Sequence, residues 1–103
     1  MDRPEFKGDK RIVDILNRLL NVIGAAEYHL YKIYKEIGED LIIPTLYVGR
    51  EESYAIHNLT PDRHDIKYNT ETGDTYFMGY QVIVVNKSNY ARAAIAVDLN
   101  KVK

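Results

Sequence analysis

One long apolar periodicity constrains this chain more than any other feature. From Ile12 to Ile37, apolar residues recur at alternating steps of four and three residues, which keeps one side of an α-helix apolar over many turns. Asp9 precedes the series as a helix N-cap, and Gly38 follows it as a C-cap. The sequence therefore predicts a helix from about residue 10 to residue 37. The series consists of Ile12, Leu16, Leu19, Ile23, Ala26, Leu30, Ile33 and Ile37.

Gly24 interrupts this helical pattern. A glycine in a helix interior costs about 1 kcal/mol relative to alanine, so it marks either a kink or a break. We favour a continuous or kinked helix; the alternative is a separate amphipathic element over residues 10–23. Ile15, Leu20 and Val22 widen the apolar side in this first half, which favours burial over the narrow seam of a two-stranded coiled coil.

A strand, a turn and a second helix are predicted in the middle of the chain. Residues 45–48 form an apolar strand, and Pro44 separates it from a preceding loop because proline cannot donate a ladder hydrogen bond. Gly49 leads into a helix that begins near Arg50. The following acidic pair, Glu51–Glu52, complements the positive end of the helix dipole.

Two buried strands joined by a short polar turn are predicted near the end of the chain. A β-branched run, residues 82–85, follows Gly79, and an Ala/Ile/Val segment occupies residues 94–99. The intervening stretch from residue 58 to residue 74 is polar and rich in turn residues. It contains a candidate short strand at residues 66–68, and we expect it to be the most mobile ordered region.

The order of these motifs resembles the A-domain of encapsulin shell proteins and of the tailed-bacteriophage major capsid fold. In those proteins, a helix leads to a Leu/Val strand and a short helix, and the chain ends with a valine strand, a polar turn and an Ala/Val strand. The matching residues here are Leu46 to Val48, Glu51 to Ile56, Gly79, Val82 to Val85, Asn89–Tyr90, and Ala94 to Asp98–Leu99.

The resemblance implies an α+β fold in a single domain over residues 1–103, with residues 1–8 loose. A long N-terminal helix and a short helix would pack on a mixed sheet of three to five strands. A chain of 103 residues has no room for the extended loop and peripheral domain of a full shell subunit. It is most similar to the short, A-domain-only encapsulin class.

By this resemblance, the expected function is that of a non-catalytic structural protein that self-associates into rings or small homo-oligomers. Such a module would organise or sequester cytoplasmic enzymes, so a cargo enzyme is an expected partner. The encapsulin surface that holds cargo peptides is built largely from the part that has no counterpart here, and no cargo-docking residue is carried over.

Composition excludes several classes of chemistry. The chain has no cysteine, which rules out disulfides, thiolate metal sites and thiol nucleophiles. Its 14 basic and 15 acidic residues balance to a net charge of -1, which disfavours nucleic-acid or membrane partners. There is neither an apolar run long enough to span a bilayer nor a signal peptide. The predicted location is cytoplasmic.

Tyrosines on the long helix are the strongest surface feature. Tyr28, Tyr31 and Tyr34 step by three residues and are interleaved with Lys32 and Lys35, so they cannot all face the core. Tyrosine is favoured at protein interfaces because it adds contact area with little entropy loss. The predicted oligomer interface is Tyr28, Tyr31, Lys32 and Lys35. An equally weighted interpretation has these tyrosines covering neighbouring side chains, and stacking on single-stranded nucleic acid ranks third.

A rival function is a small ligand-binding or metal-binding module that uses the loop of residues 57–74. His57, Asp62, His64 and Asp65 could together provide ligands for a divalent ion. Their spacing matches no known metal motif, and solvated loop side chains are the simpler interpretation.

Catalytic signals are weak. Ser53 and Ser88 lack a nucleophile motif, and the acidic pairs 39–40 and 51–52 are typical of solvated loops and helix starts. Backbone N–H groups after Gly49 could hold a phosphate, but the following glutamates would repel it. We therefore predict no enzyme activity, and assign no catalytic residue, cofactor or metal ligand.

Overall fold

The computed structural model describes residues 8–38, 41–58, 66–68 and 73–97. The elements are α1 (Lys10–Ile37), β1 (Ile42–Val48), α2 (Arg50–His57), β2 (Ile66–Tyr68), β3 (Thr75–Phe77), β4 (Tyr80–Val84) and β5 (Ala91–Val97). The strands form one five-stranded sheet in the order β2-β3-β4-β1-β5. Within it, β1 runs parallel to β4 and antiparallel to β5. The predicted α+β class, with one long helix, one short helix and a mixed sheet, is confirmed.

Helix α1 is continuous through Gly24 and has 28 residues, so it is about 42 Å long at 1.5 Å per residue. Both predicted caps are present. The Asp9 side chain accepts a hydrogen bond from the N–H of Arg11 at 2.8 Å, and the N–H of Gly38 donates to the carbonyl of Tyr34 at 2.9 Å. Gly38 has a φ of 89°, a left-handed conformation that glycine adopts without strain.

Both helices pack on one face of the sheet and bury a single apolar core. The N-terminal half of α1 supplies most of its helical side chains, which explains why Ile15 and Leu20 broaden the apolar side there. Strand residues alternate, so that Leu46 and Val48 face the helices. The core comprises Ile15, Leu16, Leu19, Leu20, Ile23, Leu30, Ile42, Leu46, Val48, Ala55, Ile56, Phe77 and Tyr80.

Tyr80 brings a polar group into this core. Its hydroxyl is buried and has no hydrogen-bond partner among the described residues. Burial, together with the nearby carboxylate of Glu27 and the hydroxyl of Tyr34, raises the pKa of Tyr80 to about 12. The neutral phenol is therefore strongly favoured in the folded protein.

The prediction that Pro44 separates a loop from a strand was wrong, because β1 begins at Ile42 and includes it. Pairing with β4 starts only at Thr45, so Pro44 has one ladder neighbour, Ile95 of β5. A proline is tolerated where the second side of a strand carries no ladder.

A β-hairpin that was not predicted from the sequence precedes the β-branched run. Strands β3 and β4 pair antiparallel, with Phe77 opposite Tyr80, and Met78 and Gly79 form the turn. Their φ angles are 53° and 84°, and positive values at both central positions are the type I′ pattern that suits the twist of a hairpin.

The two strands predicted near the chain end exist as β4 and β5, but they do not pair with each other. Strand β1 lies between them. They are also less buried than predicted, because Ile83 and Val84 at the end of β4 are exposed. The candidate strand at residues 66–68 is confirmed as β2. Residues 1–7, most of the 57–74 loop and the Asp98–Leu99 ending lie outside the described residues.

Candidate interaction surfaces

The predicted interface residues lie together on the outer side of α1, and we call Tyr28, Tyr31, Lys32 and Lys35 the tyrosine surface. Tyr28 is 63% exposed and Tyr31 is 57% exposed. Tyr34, the third tyrosine of the series, is half-buried and packs against the core. The two outer tyrosines therefore do not cover the core of their own chain.

Each outer tyrosine is covered by a lysine one turn further along the helix. The Lys32 ammonium lies 4.6 Å from the centre of the Tyr28 ring, and the Lys35 ammonium lies 4.8 Å from the centre of the Tyr31 ring. These are cation–π distances, worth about 0.5–1 kcal/mol at exposed sites. The lysines restrict the orientations of the rings and add positive charge around them.

The tyrosine surface lies on the C-terminal part of α1, where the sheet and α2 no longer bury the helix. Leu30 is the last buried residue of the helix, Ile33 is half-buried and Ile37 is exposed. The apolar seam read from the sequence thus continues beyond the part of the helix that the sheet and α2 bury. Helix α1 is longer than the core requires.

A second apolar surface lies on the sheet face that points away from the helices. Because side chains alternate along a strand, the residues between the core positions of β1 point to this face, and their register partners lie beside them. Tyr47 has Ile83 on one side and Arg92 on the other. Within the described ranges, no helix packs on this open sheet face, which carries Ile43, Tyr47, Gln81, Ile83, Arg92, Ala94 and Ala96 around the buried Thr45.

The start of α2 is occupied by the loop that joins β4 to β5. The N–H groups of Gly49, Arg50 and Glu51 donate to the carbonyls of Tyr90, Lys87 and Ser88 at 2.8, 2.9 and 3.0 Å. These are the donors that a phosphate would need. The phosphate hypothesis at Gly49 is therefore wrong, because the chain itself satisfies the helix start.

The buried side chain of Glu52 stabilises the contact between the start of α2 and the β4–β5 loop. It is 1% exposed; its Oε1 accepts a hydrogen bond from the N–H of Tyr90 at 2.9 Å, and its Oε2 accepts one from Arg18 Nη2 at 3.0 Å. One carboxylate thereby joins α1, α2 and the β4–β5 loop. A buried charge is tolerated only when paired in this way, so Glu52 has a structural role.

The structural role of Glu52 was not predicted, because both acidic residues of the pair Glu51–Glu52 fit the pattern of dipole partners at a helix start. The helical periodicity of α2 could have indicated that Glu52 is buried. Glu52, Ala55 and Ile56 share one side of α2 and are all buried, whereas Glu51 is half-buried and pairs with exposed Arg11 at 2.7 Å.

A groove of about 380 Å³ lies between the start of α1 and α2. Ile12, Ile15 and Tyr54 provide apolar walls, and the Arg11–Glu51 ion pair lies at its edge. The groove has a mixed lining and contains no set of convergent polar groups with a catalytic geometry. Arg50, at the same edge, has contacts of 3.4 Å to Asn86 and Ser88.

The described part of the 57–74 loop offers no support for a metal site. His57 bonds within its own helix, with Nδ1 2.7 Å from the carbonyl oxygen of Ser53. Asp62, His64 and Asp65 lie outside the described residues. In the part of the chain that the structure describes, no three His, Asp or Glu side chains group as ligands for an ion.

Across the described segments, neither helix combines the length and the apolar character needed to cross a lipid bilayer.

Comparison with known proteins returns no match: no protein-family model, no curated protein and no solved structure is significantly similar to this chain. The resemblance to the encapsulin and capsid A-domain therefore rests on the sequence motifs alone and stays a prediction.

Proposed function

We propose that this protein is a non-catalytic, self-associating structural module of encapsulin-like, capsid-fold type. It forms rings or small homo-oligomers in the cytoplasm and organises or sequesters enzymes there. The element order supports the proposal, since a long helix, a Leu/Val strand, the short helix Arg50–His57, a valine strand and an Ala-rich strand follow one another as in the A-domain pattern.

The observation that carries the proposal is the exposure of Tyr28 and Tyr31 under their lysines. Exposed aromatic side chains are a poor choice for a surface that meets only water, and a good one for an interface core. Because the lysines already restrict the two rings, less rotamer entropy is lost on association. The open sheet face supports the same proposal, because it presents Tyr47 and Ile83 without a covering element among the described residues.

The test is the solution mass, measured by light scattering after size exclusion at two salt concentrations, with electron microscopy of any large species. The proposal predicts a mass above one chain for the native protein. The double variant Tyr28→Ser/Tyr31→Ser should shift that mass toward one chain.

The matched control is Tyr54→Ser. Tyr54 is 65% exposed but lies on α2, away from the tyrosine surface, so its replacement should leave the mass unchanged. A native protein that remains a single chain at high concentration would refute self-association. An oligomer whose mass is insensitive to the double variant would remove the tyrosine surface from the interface.

A further inference from the structure

The outer side of α1 carries a line of exposed residues at a spacing of seven: Asp14, Asn21, Tyr28 and Lys35. Residues seven apart lie almost above one another, since two helical turns span 7.2 residues. We call these four residues the outer line. Gly24 and Ala25, both exposed, lie at its midpoint.

Nothing in the described part of the chain requires glycine at position 24. A side chain built on it would meet no atom within 4 Å, and its φ lies outside the left-handed region that requires glycine. Glycine in a helix interior nevertheless costs about 1 kcal/mol relative to alanine. Because Gly24 has no side chain and Ala25 only a methyl group, a second helix could approach α1 closely at this point.

The outer line is complementary to itself when reversed. When two copies of α1 run antiparallel and cross between Gly24 and Ala25, Asp14 of each copy lies opposite Lys35 of the other. Asn21 of each copy likewise lies opposite Tyr28 of the other. The contact therefore contains two Asp14–Lys35 pairs, and Gly24 and Ala25 of the two helices meet at its centre. An isologous two-fold contact has this property, in which residue i meets j and j meets i. A parallel pair would instead bring Lys35 next to Lys35.

We infer that α1 is a dimerisation helix that packs antiparallel against α1 of a second copy of this chain, crossing at Gly24–Ala25 with reciprocal Asp14–Lys35 pairs. This inference rests on the proposed function, because it names the partner and the geometry of self-association at the tyrosine surface. One helix pair is a small interface compared with the roughly 1,600 Å² of a stable complex, so the dimer is concentration-dependent unless further contacts add to it.

Cysteine cross-linking tests the geometry, and a chain without cysteine is well suited to it. In Ala25→Cys, the two introduced thiols lie next to the two-fold axis, where packed helices are about 8–10 Å apart, within reach of a short bismaleimide. In the control Glu36→Cys, exposed on α1 and outside both the tyrosine surface and the outer line, antiparallel packing holds the thiols about 35 Å apart at 1.5 Å per residue. The expected result is a covalent dimer from Ala25→Cys and none from Glu36→Cys.

Charge exchange tests the same contact without cross-linking. Asp14→Lys and Lys35→Asp each place like charges opposite one another twice, and each should weaken the dimer about tenfold. The combined variant restores both pairs with their signs reversed and should recover the native dissociation constant. Circular dichroism checks that α1 remains helical in every variant.

The outcomes separate the inference from the proposed function. An oligomeric mass without Ala25→Cys cross-linking would overturn the α1 geometry and leave self-association in place. Cross-linking of both cysteine variants would indicate a parallel pair and would also overturn it. A single-chain mass together with no cross-linking would refute both.

Discussion

The backbone N–H of Tyr90 donates a 2.9 Å hydrogen bond to the buried carboxylate of Glu52. Glu52 lies in the first turn of α2, and Tyr90 immediately precedes β5. The bond therefore joins two segments that are far apart in sequence, beside the point where three carbonyls of the β4–β5 loop accept the first N–H groups of α2. Short strands and a two-turn helix hold their positions here through polar contacts as well as packing.

Glu52→Ala should destabilise the protein by about 3 kcal/mol, because it leaves the Tyr90 N–H without its acceptor and opens space in the core. Glu52→Gln keeps an acceptor oxygen for Tyr90 but turns an N–H₂ group toward Arg18, so we expect about half that loss. Urea unfolding of both variants measures the difference. Equal losses would show that the charge, and not the hydrogen bond to Tyr90, determines the stability of the junction.

Gly49→Ala should be one of the most damaging single substitutions in the chain. An added Cβ would lie 2.8 Å from the Tyr90 nitrogen and 2.9 Å from the Lys87 oxygen. Both are backbone atoms that hold the α2 junction and cannot move aside freely, so we expect a loss of about 2–3 kcal/mol.

Gly24→Ala is the matched control for this glycine. Its Cβ would meet nothing, and alanine is the better helix former, so dilute protein should gain about 0.5–1 kcal/mol. Thermal unfolding of the two variants should move in opposite directions. A neutral Gly49→Ala would mean that the β4–β5 loop can move away from the start of α2.

The fold was predictable where a pattern extends over many residues. The apolar series from Ile12 to Ile37 and its caps, Asp9 and Gly38, place α1 almost to the residue, because each turn repeats the same signal. Strand β3, Thr75–Phe77, was missed because the turn that follows it has methionine where asparagine or glycine would indicate a hairpin.

The surfaces were predictable only in part. The three-residue step of the tyrosines places Tyr28 and Tyr31 outside the core from the sequence alone. The open sheet face was not predictable, since it depends on β1 lying between β4 and β5, and no local pattern encodes that order. The contact of Lys87 and Ser88 with the start of α2 is likewise formed by backbone groups far apart in sequence. Side-chain patterns therefore do not predict it.

The two arginine–glutamate pairs should differ in energy despite similar distances. Arg11 and Glu51 lie 2.7 Å apart, with 75% and 35% of their side chains exposed, and such surface pairs typically contribute about 0.2–1 kcal/mol. Arg18 pairs with fully buried Glu52 at 3.0 Å, and its removal leaves that charge with one partner. We expect a loss of about 0.5 kcal/mol for Arg11→Ala and of about 1–2 kcal/mol for Arg18→Ala, measured by urea unfolding. Equal effects would contradict the ranking by burial.

Stability at high pH should depend on Tyr80. Its pKa is raised from 10.0 to about 12 in the folded protein, chiefly by burial. The unfolded chain therefore releases this proton first, and between pH 10 and pH 12 it binds fewer protons than the folded chain. The stabilisation is complete below pH 10, falls as pH rises through this window, and levels off above the folded pKa.

The variant Tyr80→Phe isolates this contribution from those of the other tyrosines. It removes a hydroxyl that has no hydrogen-bond partner among the described residues, so its stability at pH 7 should be equal to or slightly above that of the native protein. Its free energy of unfolding should also decline less steeply between pH 10 and pH 12. Parallel declines for the two proteins would mean that Tyr80 titrates as it does in the unfolded chain, and that its ring is accessible to water.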